Sequence, residues 1–140
     1  HGVEADAKGE IGVEDIESVA DDLDYADALV IRTGWEELID DDAYYDHPYF
    51  TDALAEWLVE RDLAWVGMDF LTPDRPPELR PDGFTYPVHT TLLSGDTLIV
   101  ENLTNLDGLA GSTVEVAALP TKLAGCDGAP IRVVARGGAS

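Results

Sequence analysis

His89 and Glu101 stand twelve residues apart in the stretch YPVHTTLLSGDTLIVENLTNL, which runs from Tyr86 to Leu106. Imidazole nitrogen and carboxylate oxygen are both donors to zinc and similar divalent ions, at about 2.0–2.2 Å. A helix from His89 to Gly95 would rise about 9 Å, and a strand from Thr97 to Glu101 would return about 13 Å. A reversal at Ser94-Gly95-Asp96 would therefore bring both side chains to one end of the layer. Two ligands do not make a site, and a histidine and a glutamate at this separation can equally be unrelated surface groups.

The remaining chemistry-bearing residues are sparse. His47 precedes Pro48 in an acidic run and reads as a solvated turn residue. Cys126, the single cysteine, lies between Gly125 and Asp127 with no histidine nearby in sequence, and reads as a structural thiol. Trp35, Trp57 and Trp65 are expected in the core, with Trp35 at a strand end where it could also line a pocket. Asp69 follows a buried strand and is either a site residue or a cap for the turn at Leu71-Thr72-Pro73. No phosphate-cradling glycine loop, Gly-x-Ser-x-Gly elbow or His-Glu-x-x-His helix is present, so those enzyme classes have no support.

The elements that must position these residues follow from periodicity. IGVEDIESVADDL predicts a short surface helix. DALVIRTGW predicts a buried strand ending in Arg32, Thr33 and Trp35, and EELIDDDAYYDHP an exposed loop. Thr51 is a good N-cap, and TDALAEWLVERD puts Leu54, Trp57 and Leu58 on one helical face. LAWVGMDF predicts a second buried strand, and the proline-rich LTPDRPPELRPDGFTYP a loop. TVEVAALPTKL and PIRVVAR predict two strands joined by the turn AGCDGA. Without a sustained βαβ rhythm, the order implies an α/β or α+β domain around a mixed sheet.

A chain of 140 residues with 45% hydrophobic composition is suited to one domain with one core. It carries 29 acidic against 8 basic residues, a net charge of -21, and only Lys8 and Lys122 are lysines. Phosphate neutralisation needs a basic surface, so nucleic acid is excluded as a partner. The acidity serves either a basic partner or a surface adapted to concentrated salt, where screening removes self-repulsion. Acids spread along the whole chain and scarce lysine favour the second, a halophilic protein. No apolar run approaches about 18 residues and no export signal opens the chain, so the expectation is a cytoplasmic protein without a membrane partner.

The succession ALVIRTGW, AEWLVERDLAWVGMDFLTPD, YPVHTTLLSGDTLIVENLTNLDGL and VEVAALPTKLAGCDGAPIRVVA resembles the C-terminal part of the cyclase family, which includes bacterial kynurenine formamidase and isatin hydrolase. The pieces PVH, ENLTNL, ALP and GCDGAP carry the likeness, in order, from about Ala28 to Ala135. The resemblance implies a single domain over 1–140, with a polar lead-in at 1–27 and a family-like core at 28–136. It also implies a swivelling β/β/α fold, usually dimeric, in a metal-dependent hydrolase of small N-formyl or cyclic amides. His89 and Glu101 then match the two late ligands of a Zn2+ or Mn2+ ion, with Asn102 orienting Glu101 from behind. The family's early motif, His-x-x-x-His-x-Asp with a following acid/base histidine, is not found in this chain, and His1 cannot stand in for it. With His1 first and Met68 the only methionine, the chain reads as the later part of a longer protein, the acid/base histidine falling before His1. Its expected partners are an amide substrate and either a second copy or the missing segment. The alternative is a non-catalytic binding or assembly module that keeps the fold without a complete metal site.

Overall fold

A computed structural model describes residues 1–137. Three short apolar runs form its central parallel sheet, in the order β2 (Ala28–Ile31), β4 (Trp65–Met68), β5 (Leu98–Val100). Parallel neighbours need a crossover, and here two helices supply it: α2 (Asp52–Val59) between β2 and β4, and α3 (Pro87–Ser94) between β4 and β5. The chain thus contains the βαβ rhythm that the sequence reading did not find. The second helix is short and follows a proline-rich loop, which hides the repeat.

Thr51 caps α2 as expected, its hydroxyl accepting from the Leu54 amide at 3.1 Å, and Leu54, Ala55 and Leu58 are fully buried. Trp57 and Trp65 are only half-buried, and Trp35 alone of the three tryptophans reaches the core. The Arg61 guanidinium covers the Trp57 ring at 3.2 Å, which keeps that ring at the surface.

The predicted helix at 11–23 is broken up. Glu10–Ile11 is a strand, β1, paired in parallel with β3 (Tyr49–Phe50), then two 3-10 turns lead to a single α-helical turn, α1 (Ala20–Leu23). Val3, Ile11, Ile16 and Leu23 nevertheless belong to the same core cluster as Leu29, Ile31, Val66 and Met68. The expected loop at 36–48 holds 3-10 turns at Trp35–Leu38 and Asp42–Asp46, and it buries Tyr44, His47 and Pro48. His47 is completely buried instead of solvated, because its ring stacks on Phe70 at 6.1 Å. A hairpin of β6 (Val114–Pro120) and β7 (Ile131–Gly137) forms a separate antiparallel sheet whose side chains are half-buried or exposed. Cys126, in the turn between them, is exposed and free.

Candidate metal centre

The register of the parallel sheet decides where chemistry can collect. Ile31 pairs with Met68, and Gly67 with Val100, so the three strands end together and present Arg32-Thr33, Asp69-Phe70 and Glu101-Asn102 at one edge. In open parallel sheets this carboxyl edge is where ligands bind. His89, in the first turn of α3, reaches the same edge: its Nε2 lies 3.5 Å from Oε1 of Glu101. The helix, the reversal at Gly95-Asp96 and the returning strand produce that approach, with Asp96 in the left-handed region at φ 61°.

Asp74, from the proline-rich loop, completes the arrangement. Tyr86 and Pro87 open α3 without offering a capping side chain, and Tyr86 itself is left-handed at φ 52°. The Asp74 carboxylate, 1% exposed, accepts instead from the Val88 and His89 amides, each at 3.1 Å. It also accepts from His89 Nδ1 at 2.6 Å. A carboxylate on Nδ1 fixes the ring and leaves Nε2 facing Glu101. Asp74 foremost, then Glu101, hold the His89 imidazole up at about 9, against partial burial that opposes the charge.

The pair fits one side of a metal. Donors about 2.1 Å from a tetrahedral ion stand about 3.4 Å apart, close to the 3.5 Å between Nε2 and Oε1. That distance is long for a direct hydrogen bond. Both side chains are about a third exposed, and Glu101 borders a cleft of about 590 Å³. Among the described residues, no group of three or more His, Cys, Asp or Glu side chains is arranged to hold an ion.

The other candidates sort differently. Asn102, left-handed at φ 57°, accepts with its side-chain oxygen from the Tyr44 hydroxyl at 2.6 Å, while its backbone amide donates to Phe70 O at 3.1 Å. It fixes the turn that carries Glu101. Burial, then Asp69 and Glu101, push the Tyr44 hydroxyl up to about 12, so it stays a donor. Asp69 is fully buried and caps no turn at 71–73. It accepts from the Thr33 amide and hydroxyl and from the Gly34 amide, between 2.6 and 3.0 Å, locking the end of β2 to the end of β4. Sequence reasoning missed Asp74 and Tyr44. The signal for Asp74 was a helix start, Tyr86-Pro87, that had to borrow its cap.

Comparison with known proteins identifies the family and the fold. The Cyclase family model matches residues 1–75, more than half of the chain. The chain belongs to the cyclase family. It is 37% identical over 81 residues to a kynurenine formamidase of Bordetella petrii, covering 58% of this chain and 36% of that protein. A structure of a predicted metal-dependent hydrolase from Bacillus stearothermophilus superposes with a TM-score of 0.71 at 28% identity, over 90% of this chain and 56% of that one. An isatin hydrolase A from Ralstonia solanacearum shares the fold, with a TM-score of 0.76 at 24% identity over 96% and 58% of the two chains. This cyclase-family chain spans about a third of the formamidase and just over half of each solved structure. Among the described residues, no helix is long and apolar enough to cross a membrane.

Proposed function

We propose that this chain carries part of the centre of a metal-dependent hydrolase of a small amide, N-formyl or cyclic, in which His89 and Glu101 hold a divalent ion, Zn2+ or Mn2+. The 3.5 Å approach of Nε2 to Oε1 carries the reading. Likeness to a kynurenine formamidase supports an amide substrate, and likeness to the Bacillus structure supports metal dependence. When bound, the ion acidifies a water and polarises the amide carbonyl. The chain's own residues prepare that site. Asp74 keeps the Nδ1 proton, so that Nε2 offers its lone pair once it loses its own proton. Glu101 supplies negative charge, and the Tyr44–Asn102 bond holds the turn that aims it. Self-association belongs to the same proposal, supported by Leu98, Leu119 and Val134 left exposed on β5, β6 and β7.

A second reading, a non-catalytic binding or assembly module, is favoured by one observation: no third ligand joins the pair among the described residues. Calorimetric titration of Zn2+ and Mn2+ into the chain, alongside hydrolysis assays on N-formyl and cyclic amides, separates the two. One ion should bind, with affinity reduced about tenfold or more in Glu101→Gln and His89→Ala. Equal affinity in the variants would refute the ligand assignment. Metal binding without turnover, even when an upstream segment bearing the His-x-x-x-His-x-Asp motif is supplied, would favour the module.

A further inference from the structure

We infer that Arg80 is an anion clamp beside the His89–Glu101 pair, built to hold one carboxylate of a small amide ligand. The inference deepens the proposed function and rests on it for the placement of the amide. Arg80 lies in the proline-rich loop, where a turn at Pro81–Phe84, with Gly83 at φ 76°, folds the chain back over its guanidinium. Nε donates to Arg75 O at 2.7 Å and Nη1 to the Tyr86 hydroxyl at 3.2 Å. The guanidinium carbon stands 5.0 Å from the Tyr86 ring centre and 5.5 Å from that of Phe84. Both distances lie in the range of cation–π attraction.

These contacts fix the fork yet use only two of its five N–H groups, so Nη2 and the second Nη1 hydrogen remain to grip an oxygen pair. Arg80 forms no ion pair among the described residues, in a chain with 29 acidic residues. Arg32, by contrast, reaches Glu36, Glu37 and Asp107. Other arginines also lie on rings, Arg61 on Trp57 and Arg75 on Tyr49. Arg80 differs in what its ring touches: Tyr86 packs edge-on against His89, with ring centres 6.2 Å apart. Tyr86 is therefore a common floor for the imidazole and the guanidinium.

Charge selects the ligand class. A single guanidinium balances one negative charge, which one carboxylate supplies. The planar fork also matches a carboxylate in two-point contact. The ligand that fits is an amide with its own carboxylate, one group at each end of Tyr86.

The test compares N-acetylglycine with its neutral counterpart N-acetylglycinamide, titrated into the folded 15N-labelled chain with and without Zn2+ and followed by the arginine Nε–H and backbone amide signals. Wild-type protein should bind the acid at least about fivefold more tightly than the amide, with the Arg80 signal shifting. Arg80→Gln should abolish that preference, Arg80→Lys should keep part of it, and Arg75→Gln should leave it intact. Equal binding of acid and amide, no shift with either, or a preference that survives Arg80→Gln overturns the clamp. Loss of Zn2+ binding with the preference retained would count against the metal reading alone.

Discussion

Asp74 uses one carboxylate for two tasks, closing the start of α3 and fixing the His89 ring. Replacing it with asparagine keeps the shape and some capping, but the neutral amide no longer holds Nδ1–H as a charged acceptor does. Metal affinity measured by calorimetry should fall about 10–100-fold in Asp74→Asn, as for other partners behind a ligand; unchanged affinity would refute the positioning role. The same contact sets a pH dependence. His89 ionises at about 9 in the folded protein against 6.5 ordinarily, so the folded state holds the proton more tightly. That stabilisation is complete below pH 6.5 and is lost as pH rises through about 9. The metal-free melting temperature should decline across this window, and Asp74→Asn should flatten the decline. Metal affinity should climb over the same range, because the ion displaces the proton from Nε2.

At the scale of elements, the approach of His89 to Glu101 depends on how closely α2 and α3 pack. A Cβ on Gly95 would stand 2.4 and 2.6 Å from the two methyls of Val59, at the end of α2. Gly95→Ala should therefore cost about 1–3 kcal/mol by denaturant unfolding, the usual range for overpacking, and Val59→Ala should recover part of it in the double variant. An unaltered midpoint would mean that the helices have room to separate. The same elements show what could be read from sequence. Thr51 with Leu54 and Leu58 marked α2 unambiguously, and β2, β4, β6 and β7 were legible as apolar runs bounded by turns. His89 and Glu101 were legible as a pair because local helix, turn and strand geometry brings them together. Asp74 and His47 were not, since a proline-rich loop and an acidic run both look solvated. Only tertiary contacts, a borrowed helix cap and a stack on Phe70, bury them.

For the whole molecule, charge dominates. A net charge of -21 repels itself in the compact state, and salt shortens the range of that repulsion from about 10 Å at 0.1 M to about 3 Å at 1 M. The melting temperature should rise steeply between low and molar salt, and a flat profile would refute adaptation to concentrated salt. Stability is also unevenly distributed. The β6–β7 hairpin is a two-stranded sheet, and β7 contributes only Ile131 and Val133 as half-buried side chains, whereas Leu29, Ile31, Val66, Met68 and Val100 are buried in the parallel sheet. Isolated hairpins are marginal in water. Backbone amides at 114–137 should therefore exchange with deuterium through a low-energy local opening, hours or more before those of the parallel sheet, which wait for global unfolding. A protease probing the native protein would meet the same boundary and cut first between Leu109 and Val114, releasing the hairpin while the strand ends that carry Asp69 and Glu101 stay folded.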